Sequence, residues 1–153
     1  MTNDSVVSLS PRPAPRMGRQ QVAALCWRRA PLLEILLVTS LRTKRWILPK
    51  GWPEAGLTLA GSAAREALEE AGVTGEIGAE PIGHYYYIKE KAGHALPVKV
   101  EIFSLKVTRQ RRNWAEKGAR EILWLPMELA AARVEERSLR HLLLDFRKAL
   151  QAA

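Results

Sequence analysis

The sequence predicts a single domain of the α/β or α+β class, and three observations lead to that fold class. Short apolar runs typical of strands fill the segment before residue 50. A helical pattern at 59–71 then interrupts them, and further strand-like segments follow. A second helical pattern at 138–150 comes last. At 153 residues, of which 47% are hydrophobic, the chain suffices for one core.

The first strand candidates surround a central apolar run. We predict strands at 21–27 and 33–39, and the second is apolar along nearly its whole length. Such a run is typical of a strand that is covered on both faces of a sheet. A short strand at 46–48 ends at Pro49, and Pro53 within 50–58 predicts a loop there.

The segment 59–71 has the small side chains of a helix that packs closely on a sheet. Thr58 is a candidate N-cap, Ser62 would serve a later start, and Gly72 is a candidate C-cap. Its predicted packing face consists of Ala60, Ala64, Ala67, Leu68 and Ala71.

The second half of the chain predicts four more strands and two more helices. These are strands at 73–77, 82–88, 98–107 and 121–125, a short helix from Pro126, and a helix at 138–150. Between them we predict a polar hairpin loop at 89–97 and a basic loop at 108–120.

The amino-terminal residues differ in composition from the rest. Residues 1–20 are polar and rich in proline, so we predict a disordered or extended tail there and a folded domain at 21–153. This tail lacks the apolar region of a signal peptide, and no apolar run is long enough to span a membrane. The lone Cys26 has no partner for an internal disulfide. These observations predict a cytoplasmic protein with no membrane partner.

The net charge of +8 predicts an anionic partner. Much of this charge lies between residues 106 and 120, where six basic residues face the single acid Glu116. Phosphorylated small molecules and nucleic acids both fit such a charge. We find no recognised nucleic-acid-binding motif, so the small molecule is favoured. A solvated basic loop is the alternative.

Three carboxylates crowd one side of the predicted helix at 59–71. Glu66 lies three and four residues before Glu69 and Glu70, so the three side chains are neighbours on a helix surface. Like charges at this spacing repel one another and destabilise a helix. A divalent cation that prefers oxygen ligands would offset the repulsion. A merely solvated helix face is the alternative.

The segment 51–73 resembles the motif of the Nudix hydrolases, G-x5-E-x7-R-E-U-x-E-E-x-G-U, where U is a bulky apolar residue. Seven positions match: Gly51, Arg65, Glu66, Glu69, Glu70, Gly72 and Val73. Leu57 stands where the motif has its first glutamate, and the small Ala67 occupies an apolar position. The resemblance implies an α/β/α sandwich with a mixed sheet over residues 21–150.

The resemblance also implies a reaction, the metal-dependent hydrolysis of a phosphoanhydride bond. By position in the motif, Glu66 and Glu70 would be metal ligands, and Glu69 a ligand or the general base. The carbonyl of Gly51 would be a further ligand, and Arg65 would orient the carboxylates. The expected ion is Mg²⁺, with Mn²⁺ as a substitute.

Members of this family often supply another acid from a late loop. Glu116 is our candidate for this ligand or base, with Glu121 as its competitor and a surface ion pair as the alternative. The motif glutamate that Leu57 replaces mainly supports the loop and helix in the family, and Glu54 could partly replace it. We therefore expect an active enzyme, with a non-catalytic module that binds a phosphorylated ligand or RNA as the alternative.

Two segments, 45–51 and 114–117, resemble those of the diphosphoinositol polyphosphate and diadenosine polyphosphate hydrolases. That branch acts on pyrophosphate-rich, highly anionic molecules, and basic side chains are natural phosphate partners. Our candidate substrate-binding residues are Arg42, Lys44, Arg45, Lys50, Arg109, Arg111 and Arg112. An RNA 5′ end or a nucleotide sugar would fit the same charge, and the oligomeric state stays open.

Overall fold

The computed structural model describes residues 19–29 and 31–152. Most of the predicted tail at 1–20 lies outside the described residues, but Arg19 and Gln20 already belong to the first strand. The elements are β1 (Arg19–Arg29), β2 (Leu33–Thr39), β3 (Trp46–Ile47), β4 (Lys50–Gly51), α1 (Leu59–Ala71), β5 (Val73–Ile77), β6 (Gly83–Lys91), β7 (His94–Gln110), β8 (Ile122–Pro126), α2 (Met127–Arg133) and α3 (Arg137–Ala152). No described helix is long and apolar enough to cross a membrane.

The strands form one mixed sheet of eight strands within the described residues. Its main order is β3-β2-β1-β7-β5, while β4 pairs with β1, β6 with β7, and β8 with β2. The long central pair β1 and β7 is parallel, and the other pairs are antiparallel. The predicted mixed sheet is therefore confirmed.

Alternate side chains of β1 belong to two separate hydrophobic cores, one on each face of the sheet. Val22, Ala24 and Cys26 pack with the buried alanines of α1 on one face of the sheet. Ala23, Leu25 and Trp27 pack with residues of α2 and α3 on the other. All but Trp27 are fully buried. This arrangement confirms the predicted layering of helices on both faces, with α1 on one side of the sheet and α2 and α3 on the other.

Helix α1 has the predicted bounds and caps, but a different packing face. Thr58 Oγ1 accepts a hydrogen bond from the Gly61 amide at 2.9 Å, and Gly72 ends the helix with φ 71°. The residues that pack on the sheet are Ala60, Ala63, Ala67 and Ala71. The predicted Ala64 and Leu68 are only half-buried, because Ala63, and not Ala64, lies in the row of alanines that packs on the sheet.

The predicted hairpin loop at 89–97 is wrong. Strands β6 and β7 continue through it and meet at a two-residue turn, Ala92–Gly93, with φ angles of 52° and 79°. Positive φ at both positions matches the twist of a tight hairpin. β7 also runs to Gln110, so the basic loop begins at residue 111. The polar residues of these segments lie on exposed positions of strands. A polar composition predicts a loop, but it is equally compatible with a strand that is exposed to solvent.

Candidate active site and metal centre

Helix α1 and the loop before it bring four acidic side chains towards one region. Glu66 and Glu69 are half-buried, whereas Glu70 is only 3% exposed. Carboxylate oxygens of Glu54, Glu66 and Glu69 lie within 4.8 Å of one another. Two of the three helix carboxylates, Glu66 and Glu69, thus lie together with Glu54, and Glu70 contacts Glu66 through a side-chain hydrogen bond. Their roles as metal ligands stay a prediction.

Strand β4 brings the backbone of Gly51 against Glu66. A Cβ atom at residue 51 would lie 2.5 Å from the Cδ atom of Glu66 and 2.5 Å from Oε2. Any side chain larger than hydrogen would therefore displace this carboxylate. Gly51 and Glu66 are adjacent, as a shared metal site requires, and the carbonyl of Gly51 as a ligand stays a prediction.

Burial makes the charged forms of Glu66 and Glu70 costly. Burial is the main cause that raises the pKa of Glu70 to about 8, with the charge of Glu66 adding to it and Arg120 opposing it. Burial also raises the pKa of Glu66, and Glu69 and Glu116 add to that shift. Ionising both of these adjacent carboxyl groups at once is therefore unfavourable. A divalent cation fits the same set of oxygen donors, because its charge offsets both carboxylates.

Arg65 lies between two acids of this region. Its Nη1 atom is 3.5 Å from Glu69 Oε2 and 3.8 Å from Glu54 Oε1. All three side chains are about one third or more exposed, so these ion pairs add little to stability. Their geometry agrees with the predicted role of Arg65 in orienting carboxylates, a role that stays a prediction.

The loop after β7 carries Glu116 to the end of α1. The Glu116 amide donates a hydrogen bond to the carbonyl of Glu69 at 3.0 Å. Trp114 packs against Gly72, where a Cβ atom would collide with its indole ring. The competing candidate Glu121 is exposed, and its amide donates to Thr39 Oγ1 at 2.9 Å. The loop thus positions Glu116 beside the helix carboxylates, and its role as ligand or base stays a prediction.

Arg120 is a site residue that the sequence reasoning missed. Its side chain is only 10% exposed, and it contacts Glu70 at 3.3 Å and Glu116 at 2.8 Å. In the sequence it is one of several basic residues of a polar loop, and no local pattern separates it from them. Its burial depends on a contact with β2, where Nη1 donates to the carbonyl of Thr39 at 3.0 Å.

A basic cavity of about 480 Å³ lies next to the carboxylates. Glu70 forms part of its wall, and its cationic lining residues are Arg42, Arg45, Lys50, Lys89 and Arg120. Lys89 was not among the predicted substrate-binding residues. Predicted residues that do not line it are Lys44, Arg109, Arg111 and Arg112. The predicted substrate-binding residues therefore fall into two groups, those that line the cavity and those that do not. The binding roles of both groups stay predictions.

Lys50 connects the cavity with the sheet. Its Nζ donates to Gln21 Oε1 at 3.1 Å and to Tyr87 Oη at 3.0 Å. Its amide donates to Glu70 Oε1 at 3.4 Å. Burial is the main cause that lowers the pKa of Lys50 to about 8, although Glu70 opposes this shift. Lys50 thus holds a fixed position at the wall that it shares with Glu70.

The family is decided by comparison with known proteins. A model described as NUDIX domain matches residues 19–146. The chain belongs to the NUDIX family. Hydrolases of this family generally use divalent metal ions, in agreement with the carboxylate cluster of Glu54, Glu66 and Glu69.

Curated NUDIX relatives support this assignment. "Nudix hydrolase 12, mitochondrial" of Arabidopsis thaliana is 35% identical over 102 residues, which cover 64% of this chain and 50% of the relative. "Diphosphoinositol polyphosphate phosphohydrolase 3-beta" of Bos taurus is 31% identical over 117 residues, covering 74% of this chain and 68% of the relative. The chain spans about half the length of the plant relatives that it matches.

Solved structures of NUDIX proteins show the same fold. The Ap4A hydrolase of C. elegans superposes with a TM-score of 0.63 at 23% identity, covering 88% of this chain and 99% of that one. The NUDIX domain of Shewanella oneidensis NrtR, complexed with ADP ribose, gives 0.67 at 17% identity, with coverages of 88% and 90%. The predicted Nudix-type fold is confirmed.

Proposed function

We propose that this chain is a divalent-metal-dependent hydrolase of phosphoanhydride bonds in a polyphosphorylated small molecule. One observation carries the proposal: Glu70 belongs to the carboxylate set of α1 and also forms a wall of the basic cavity. The proposed metal ligands and the cations that would bind phosphate are thus adjacent, an arrangement that suits hydrolysis of a phosphorus anhydride. The proposed ion is Mg²⁺, with Mn²⁺ as a substitute.

The proposed roles follow from the positions of the side chains. Glu66 and Glu70 would hold the ion, with the Gly51 carbonyl as a further ligand. A bound divalent ion supplies charge neutralisation at phosphate oxygens and lowers the pKa of a bound water. Glu69 is a ligand or accepts the proton of the attacking water, and Arg65 orients it. Glu116 is the alternative proton acceptor.

The substrate class is the finer part of the proposal. The bovine relative is named for diphosphoinositol polyphosphate and the nematode structure for Ap4A, and both molecules carry linked phosphates. The cavity offers several cations close to Glu70, which suits such an anionic chain. We therefore propose a diadenosine polyphosphate or a diphosphoinositol polyphosphate-like substrate. The predicted cytoplasmic location stays a prediction.

The test is a phosphate-release assay with Mg²⁺ on a panel of dinucleoside polyphosphates, nucleoside diphosphate derivatives and diphosphoinositol phosphates. We expect turnover by the wild type, and a loss of about 100-fold or more in Glu69→Gln or Glu70→Gln. Glu80→Gln is the matched control, because Glu80 is an exposed glutamate outside the site. Full activity in both site variants would overturn the proposal.

A non-catalytic binding module is the second candidate. The observation that favours it is Leu57, a 40% exposed apolar residue where the family motif has glutamate. Such a module would bind a panel compound in a calorimetric titration and leave it intact. Metal-dependent turnover of any panel compound excludes this candidate.

A further inference from the structure

We propose that Arg120 is a positioning residue that fixes the carboxylate of Glu116 relative to Glu70. The inference rests on the hydrolase function proposed above, and it concerns a residue outside the family motif at 51–73. Arg120 lies on the loop between β7 and β8, far along the chain from the helix that it contacts.

Each nitrogen of the Arg120 guanidinium has its own partner. Nε donates to Glu116 Oε1 at 2.8 Å, and Nη2 lies 3.3 Å from Glu70 Oε2. Nη1 donates to the carbonyl of Thr39 at 3.0 Å. The three partners belong to the late loop, to α1 and to the end of β2. One planar group therefore contacts three separate segments and lies between the carboxylates of Glu116 and Glu70.

The positive charge of Arg120 lies between the carboxylates of Glu70 and Glu116 and supports the same inference. Glu70 is buried, and Glu116 is its neighbour across the guanidinium. Without a cation between them, two carboxylates at such a position repel each other. Arg120 is itself only 10% exposed, so water screens these interactions weakly. Arginine suits the position because its planar fork presents several donors in fixed directions, which a lysine cannot do.

Among the described residues, the loop backbone has other attachments, whereas the Glu116 carboxylate has no hydrogen-bond partner besides Arg120. The Glu116 amide bonds to Glu69, and the backbone of Glu121 exchanges two hydrogen bonds with Thr39. Arg120 is the hydrogen-bond partner that the described residues offer to the Glu116 carboxylate. Loss of Arg120 should thus leave the loop in place and release this one side chain.

A double-mutant cycle tests the inference on the full chain. It compares Arg120→Ala, Glu116→Gln and the double variant, with Arg120→Lys as the conservative change and the exposed Arg137→Ala as control. On the best substrate of the panel at saturating Mg²⁺, we expect kcat to fall about 10- to 100-fold in Arg120→Ala, the range for residues that orient site groups. KM should change less than about threefold, because the charge of this cavity residue is already paired with Glu70 and Glu116. The double variant should match Glu116→Gln. Arg120→Lys should recover little of the loss.

Several results would overturn the inference. These are a double variant in which the two single effects multiply, a wild-type kcat in Arg120→Ala, and a raised KM with kcat kept. The last result would make Arg120 a direct substrate contact. If Arg120→Ala does not fold, the same comparison with Arg120→Lys decides, because that variant keeps the charge.

The free energies of unfolding of the same variants give a readout that needs no turnover. We expect the Arg120 and Glu116 changes to be non-additive, and strict additivity would overturn the inference even in an inactive protein. An inactive wild type across the whole panel would instead overturn the proposed function. The two failures are therefore distinguishable.

Discussion

The carboxylate of Glu66 lies against the backbone of Gly51, in the space that a side chain at residue 51 would fill. A Cβ atom there would lie 2.5 Å from two atoms of that carboxyl group. This contact joins β4 to α1 across the proposed metal centre, and it explains why the first position of the motif requires glycine in this chain.

We expect Gly51→Ala to move Glu66 and to lower kcat about 10- to 100-fold, in the range for changes that displace metal-binding groups. The variant should fold, because the clash involves the end of a flexible side chain. Steady-state kinetics and the half-saturating Mg²⁺ concentration measure the effect. Gly78→Ala is the control, since its nearest neighbour would be 3.7 Å away. Equal kinetics for Gly51→Ala and wild type would contradict the prediction.

Glu54 is expected to serve in place of the glutamate that Leu57 replaces. It shares Arg65 with Glu69, at 3.8 Å and 3.5 Å. Exposed ion pairs contribute about 0.2–1 kcal/mol, so Glu54→Gln should lower kcat by a factor of about 1.4 to 5. Adding Leu57→Glu to Glu54→Gln should restore the rate, whereas adding Leu57→Gln should not. If Glu54→Gln leaves both kcat and the metal dependence unchanged, Glu54 has no role in the site.

Stability in the absence of divalent metal should fall as the pH rises from about 5 to 8. The folded-state pKa of Glu70 is about 8 against an ordinary value of 4.5, so the folded chain holds a proton that the unfolded chain has lost. Unfolding therefore becomes easier through this window. Lys50, with a pKa of about 8 against 10.5, adds an opposite trend only above it.

Melting temperatures in EDTA at pH 5.5, 6.5 and 7.5 measure this dependence. Glu70→Gln should show a shallower decline than the wild type, and Mg²⁺ should raise the wild-type value most at the highest pH. Glu80→Gln, with its exposed carboxylate, serves as the control. A decline of the same steepness in Glu70→Gln and wild type would show that another group is responsible.

The cavity separates the predicted substrate-binding cations into two groups with different expected effects. Arg42→Ala and Lys89→Ala remove positive charge from its wall and should raise KM about threefold to tenfold with kcat kept. Arg112 does not line the cavity, so Arg112→Ala should change KM less. The exposed Lys148 on α3 provides the control variant Lys148→Ala. A larger KM effect for Arg112→Ala than for Arg42→Ala would instead put the substrate on the late loop.

The sequence alone determined the parts that depend on local spacing. Helix α1 has the predicted bounds because Thr58 and Gly72 cap it through contacts within a few residues. The carboxylates of Glu66 and Glu69 converge because a helix brings residues three apart to the same side. The family motif is likewise a matter of spacing along one segment, so it could be recognised without coordinates.

Only the tertiary structure decided what depends on contacts between distant segments. The length of β7 follows from its pairing with β1 and β6, so its polar residues could be read as loop. Glu70 is buried and Arg120 is its partner because the late loop folds back on α1 and β2. The contacts of Arg120 with Glu70 and Thr39 join residues 50 or more positions apart, and nothing in the local pattern of these residues records them.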